Sequence, residues 1–229
     1  MDSWLDPVKT EISLNNGFVL LTIIATKGST PCTNGDKIVF TKNENSFGSI
    51  GGGNLEFKSL AFAKEMLGQK MNTRQLVKYP LGATLGQCCG GYVKVLFESF
   101  IDDDEDLSHN NSWIEQVSAL YKKGEDFILA TIIDIDKKNH SSTQKCIYTN
   151  NNFYSSLSNK KLSNFIEESA SNLMQSAQSP TIVEFEDDSE TKAQVLLEKV
   201  NSSEVLPVVV FGAGHISRAL MPIIINLPI

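Results

Sequence analysis

The string Leu85-Gly86-Gln87-Cys88-Cys89-Gly90-Gly91 sets two adjacent thiols in a glycine-framed loop. Thiolates are soft ligands that bind metals and attack sulfur. Two further turns share the glycine character of this loop, Gly28-Ser29-Thr30-Pro31 and Gly51-Gly52-Gly53. Glycine accepts φ > 0 without steric cost and lets a ligand come close to backbone. Three such turns and a thiol pair suggest a pocket for a large, polar ligand bearing sulfur or metal. The plainer alternative is that all three only join strands. Glu56 follows the triple glycine and has two uses open to it: favouring the N-terminus of a helix, or accepting from a ligand ring.

The remaining candidates are weaker. Cys32 is either a small filler or a ligand, and Cys146, inside a predicted strand, reads as core. His215 reads as the start of a helix, and His109 and His140 lie in polar linkers. Four cysteines in three places make neither a disulfide framework nor a paired zinc motif. Reduced thiols and a cytoplasmic location are therefore expected.

The elements that must position these residues read as mixed α and β. Trp4, Val8 and Ile12 recur at helical spacing, with Gly17 available to end the helix. Phe18–Ala25 is a dense apolar run suited to a buried strand, and Lys37–Thr41 a second strand. A helix is predicted over Leu55–Leu67 with Gly68 as its C-terminal cap. The thiol loop falls between predicted strands Gln75–Tyr79 and Tyr92–Phe97.

The chain then repeats itself. Ser112-Trp113-Ile114 follows Ser3-Trp4-Leu5, and Phe127–Ile133 follows Phe18–Ile24, at one offset (113 − 4, 127 − 18 and 131 − 22 are all 109). Lys145–Thr149 echoes Lys37–Thr41, and Val195–Glu198 echoes Val95–Glu98. An internal duplication predicts an α/β fold of two related halves. The expected divisions are 1–101 for the motif-bearing half, 102–111 for an acidic linker, 112–204 for a degenerate repeat and 205–229 for the start of a Rossmann-like unit. The glycine turns occur in the first copy alone, so turning the scaffold does not require them.

Length and composition exclude some classes. The chain has 229 residues, 41% hydrophobic and 21% charged, the profile of a globular protein. A formal charge of −7 argues against nucleic acid, which needs clustered Lys and Arg. No apolar run reaches the ~18 residues that span a bilayer, and the acidic N-terminus lacks a targeting pattern.

Together, Gly28-Ser29-Thr30-Pro31, Gly48–Gly53, Gln87-Cys88-Cys89-Gly90-Gly91 and Gly212-Ala213-Gly214-His215 resemble the xanthine dehydrogenase accessory factors, the XdhC/CoxI family. The resemblance implies an accessory factor that binds the molybdenum cofactor (molybdopterin) transiently and assists its sulfuration and insertion. Its implied partners are a molybdenum hydroxylase apoenzyme and a cysteine desulfurase supplying sulfur, and its role is a maturation chaperone rather than an enzyme. The turns at Gly28–Pro31 and Gly51–Gly53, with Glu56 and Gln87–Gly91, would hold the cofactor, and Cys88 or Cys89 would meet the molybdenum. Two positions depart from the family pattern: Cys32 stands where relatives usually have Arg, and Asn54 where they often have Cys.

Gly212 and Gly214 would belong to a nucleotide-binding turn after a strand at Val208–Phe211. A complete unit takes ~30 residues and an acidic residue ~20 further on, and Pro222 is expected to interrupt the helix. NAD(P) binding is therefore not expected of this chain. The apolar run from Ile223 to Leu227 is expected to promote self-association into a homo-oligomer. An NAD(P)-dependent oxidoreductase and a cofactor-free interaction module are the alternative readings.

Overall fold

A computed structural model describes residues 4–69, 73–82, 90–101, 112–135, 144–176, 180–188, 191–201 and 208–224. The chain is α/β, as expected, with ten strands and five helices among the described residues. The first half comprises α1 (Leu5–Ser13), β1 (Phe18–Lys27), β2 (Lys37–Thr41), β3 (Ser46–Gly48), α2 (Gly53–Gly68), β4 (Arg74–Pro80) and β5 (Tyr92–Phe100). The second comprises α3 (Ser112–Lys123), β6 (Phe127–Ile135), β7 (Lys145–Tyr148), β8 (Phe153–Tyr154), α4 (Lys160–Met174), β9 (Thr181–Glu186) and β10 (Lys192–Val200). Helix α5 (His215–Ile224) follows.

Each half forms a five-stranded antiparallel sheet, ordered β3-β2-β1-β5-β4 and β8-β7-β6-β10-β9. The correspondence extends to single residues. Ile23 opposes Val95 in one sheet and Ile132 opposes Val195 in the other. A register shift then skips Ile24 in the first and Ile133 in the second. A bulge at the same place in both ladders is the structural counterpart of the sequence repeat.

Burial on both faces explains why β1 is apolar almost throughout. Val19, Leu21 and Ile23 turn outward and pack with Val93, Val95 and Phe97 against Leu55, Ala63 and Met66 of α2. Phe18, Leu20 and Val39 turn inward to meet Phe127, Leu129 and Ile147 of the other sheet. The second sheet repeats the scheme, with Leu162, Ile166, Ala170 and Leu173 of α4 on its outer face. The layers thus run helix, sheet, sheet, helix, with α1 and α3 closing the space between the sheets through Trp4 stacked on Trp113 (centroids 6.1 Å apart).

The inner faces are not wholly apolar. Lys145 reaches both carboxylate oxygens of Glu98 at 3.0 Å and Oγ1 of Thr131 at 2.8 Å. Lys37 reaches Glu198 at 2.5 Å and Oγ1 of Thr22 at 3.3 Å. Lys37 and Lys145 are equivalent positions of the repeat, as are Glu98 and Glu198. The two ion pairs therefore cross between the halves about an approximate two-fold axis. Burial pulls the Lys145 ammonium below its ordinary range, and the facing Glu98 carboxylate opposes that shift.

Four local expectations are corrected. Helix α1 ends through Asn15 in the left-handed region (φ 52°), while Gly17 lies against the Phe100 carbonyl of β5. Gly68 stays inside α2, and Gln69 follows as its cap. Val208–Val210 forms no strand, because none of the described strands offers it a ladder. Helix α5 runs through Pro222 to Ile224, since a proline this near the C-terminal end forfeits only the bond to the Arg218 carbonyl. No residue of α5 is buried, and Phe211 before it is 92% exposed. No helix among the described residues is long and apolar enough to cross a membrane.

Candidate functional site

Gly28-Ser29-Thr30-Pro31 is the hub of the candidate site. Strand β1 delivers it at Lys27, and Gly28 turns the chain at φ 78°. On one side it meets the end of the thiol loop: a Cβ on Gly28 would lie 3.1 Å from the Gly91 Cα, and the Gly91 N–H donates to the Ser29 carbonyl at 3.2 Å. On its other side lies the triple glycine. A Cβ on Gly51 would come within 2.8 Å of the Pro31 carbonyl oxygen. The three glycine turns thus meet at one end of the first sheet. Gly28, Ser29, Pro31, Gly51, Gly53 and Gly90 are exposed there, while Thr30, Gly52 and Gly91 are half-buried.

The triple glycine opens α2 in an unusual way. Gly51, Gly52 and Gly53 all have φ between 63° and 100°. Gly52 caps the helix with no side chain, and a Cβ there would meet nothing within 4 Å. Glu56 reaches back instead: its Oε2 accepts from the Ser49 hydroxyl at 3.0 Å, the Ile50 N–H at 3.2 Å and the Gly52 N–H at 3.1 Å. Of its two open uses, Glu56 holds the loop and the helix start. The second half solves the same problem differently, with the Asn159 side chain accepting from the Leu162 N–H. That is an ordinary cap. The first half thus leaves backbone where the second places a side chain.

Cys32 follows the hub but faces the core. It is buried with Val19, Leu21 and Ile50, and burial, helped by the nearby Asp36 carboxylate, pushes its thiol up to about 11. A protonated, enclosed thiol is a filler and a poor ligand. Iodoacetamide at pH 8 should leave Cys32 unlabelled in the folded protein and label it on denaturation, as peptide mapping would reveal. Cys146 is likewise core, its Sγ 3.5 Å from the Ser155 hydroxyl.

Gln87, Cys88 and Cys89 lie outside the described residues. Gly90 and Gly91 are described and anchor the loop: the Leu81 N–H donates to the Gly91 carbonyl at 2.9 Å. Gly212 and Gly214 stand apart in the exposed approach to α5, where a Cβ on either would meet nothing within 4 Å. His215 begins α5, as its position in the sequence suggests. Among the described residues no group of three His, Cys, Asp or Glu could hold a metal ion.

Residues 13–80 match the XdhC and CoxI family. That span contains the Gly28–Pro31 hub, the triple glycine and Glu56, and there it bears out the resemblance read from the motifs. Among solved structures, the chain is similar to a crystal structure of a xanthine dehydrogenase from Bacillus halodurans, with a TM-score of 0.54 and 16% identity. The match covers 84% of this chain and 52% of that one, so the chain spans about half of that protein's length. At this identity the likeness is one of fold. No curated protein matches the chain.

Proposed function

We propose that this chain is an accessory factor for a xanthine dehydrogenase-type molybdenum hydroxylase, binding the molybdenum cofactor and assisting its sulfuration and insertion. The observation that carries the reading is the meeting of Gly28–Pro31 with both Gly51 and Gly91, with two of these three turns inside the span matching the family. The residues present fit a pterin. Bare backbone at Gly52 and the exposed Gly28–Ser29 turn allow close approach of a flat polar ring, while Glu56 holds the Ile50 and Gly52 N–H groups in place.

When bound, the cofactor supplies the molybdenum and the sulfur that the target enzyme requires. The chain's part is to hold the pterin against the turns and shield it until the apoenzyme takes it. Cys88 and Cys89, next in sequence to this cluster, are its soft ligands in this reading. A cysteine desulfurase would supply the sulfur, and the setting would be cytoplasmic.

The test is cofactor titration and transfer under reducing conditions, with pterin retention followed by the fluorescence of its oxidised form. Cys88→Ser and Cys89→Ser should keep the parent's melting temperature, and at least one should weaken cofactor binding or transfer about tenfold or more. Parent behaviour in both variants would remove the thiols from the site and favour the interaction-module reading.

A further inference from the structure

The end of the first sheet that carries Gly28 and Gly91 also gathers three lysines on one face. Directly opposed residues of an antiparallel ladder share a face, and every second residue returns to it. Lys27 opposes Tyr92, Tyr92 opposes Pro80, and Lys94 opposes both Ala25 and Lys78. Lys27, Lys78, Lys94 and Tyr92 therefore occupy two adjoining rows of a single face. The Lys78 ammonium sits 4.0 Å from the centre of the Tyr92 ring. The Lys27 and Lys94 side chains make no hydrogen bond or ion pair with another described residue. Lys78 and Lys94 oppose each other directly, an arrangement that disfavours folding. No acidic residue occurs between Leu81 and Gly91 to offset it.

The second half shows what the scaffold does when no such charge is kept. At the positions of Lys78 and Lys94 it has Glu184 and Gln194, joined by a hydrogen bond of 3.0 Å. At those of Pro80 and Tyr92 it has Glu186 and Lys192, paired at 2.9 Å. There no two like charges face each other. In a chain of net charge −7, the first half keeps the same rows positive beside its glycine turns.

We propose that Lys27, Lys78 and Lys94, set around Tyr92, form a binding site for the phosphate of an anionic ligand whose remainder lies against the Gly28–Pro31 and Gly91 turns. Lys27 directly precedes Gly28 and Tyr92 directly follows Gly91, so the cations border the exposed backbone. An anion between them would relieve the Lys78–Lys94 repulsion. Assigning that phosphate to the molybdenum cofactor rests on the function proposed above; the anion site does not.

Inorganic pyrophosphate, titrated calorimetrically into the full chain, is the direct probe. The parent should bind it in the millimolar range or tighter, with affinity falling as salt is added. The double variant K78E/K94Q installs the pair found at the equivalent positions of the second half. It should bind at least tenfold more weakly and melt no lower than the parent, whereas the distant Lys123→Gln should bind like the parent. Should the double variant fail to fold, Lys94→Gln alone decides, with an expected loss of threefold or more. Absence of parental binding at millimolar pyrophosphate, or equal binding by parent and variant, would overturn the site. Lysine-dependent pyrophosphate binding without any binding of the molybdenum cofactor would leave the site standing and overturn the function proposed for it.

Discussion

Replacing Glu98 by Gln is expected to lower the unfolding free energy by about 3–5 kcal/mol. Glu98 and Lys145 are each 1% exposed at the side chain, between two sheets and away from water. Taking away one charge leaves the other buried without its counter-ion, which costs far more than the pair contributes as a unit. Thr131 keeps one hydrogen bond to the ammonium but carries no charge to balance it. Lys145→Met combined with Glu98→Leu removes both charges at once and should return stability to within about 1–2 kcal/mol of the parent. Proton linkage gives a second reading of the same pair. Lys145 titrates below its ordinary range in the folded chain, so between that lowered value and about 10.5 the unfolded chain binds more protons. Stability should therefore rise with pH across that window in the parent. In Glu98→Gln the window should extend to lower pH, because the charge that opposed the shift is gone. Urea unfolding of both chains from pH 7 to pH 10.5 measures this. Equal stability of Glu98→Gln and parent at pH 7 would show that the pair does not hold the halves as described.

Much of this frame is legible in the sequence, and the illegible parts share a cause. Strand β1 is a dense apolar run, and β2, β4 and β5 are rich in β-branched and aromatic residues, so local pattern is enough to find them. The offset between Trp4 and Trp113 exposes the duplication before any contact is known. Strands β3 and β8 have only three and two residues, too few for an alternation to show, and they form because β2 and β7 offer them a ladder. The crossed ion pairs depend on how the halves face each other, and Lys145 and Glu98 lie 47 positions apart. A signal was nonetheless present: Lys37 and Lys145, and Glu98 and Glu198, keep their charges at matching places in otherwise apolar strands. Helix ends are less legible where a glycine stands near but another residue takes the turn, as Asn15 does before Gly17. At the site, composition marks the three turns, but the contact of Gly28 with Gly91 follows from the β1–β5 ladder ending in register at Lys27 and Tyr92.

Gly91→Ala should damage both the fold at that end and any binding there. A Cβ on Gly91 would collide with the Lys27 carbonyl oxygen, lie 2.6 Å from the Ser29 carbonyl oxygen and 3.1 Å from the Thr30 methyl. Two of these three neighbours are backbone, so no side-chain rotation relieves them. Either β5 withdraws from β1 at its first residue, or the Gly28–Pro31 turn moves outward. Withdrawal breaks the Gly91 N–H bond to Ser29 and strains the Leu81 N–H bond to the Gly91 carbonyl. Overpacking of this kind costs about 1–3 kcal/mol, and one lost backbone bond adds about 1 kcal/mol. The neighbouring glycine supplies the control. A Cβ on Gly90 meets nothing within 4 Å, so Gly90→Ala should stay within about 0.5 kcal/mol of the parent. The pair also separates fold from site. If the hub must keep its place for a ligand to seat, Gly91→Ala should weaken pyrophosphate and cofactor binding about tenfold or more, while Gly90→Ala leaves both nearly unchanged. Thermal unfolding and the two titrations, run side by side on both variants, measure this. Equal behaviour of the two substitutions would mean that the turns do not depend on the close approach of Gly91, and the convergence of the three turns would then have no part in binding.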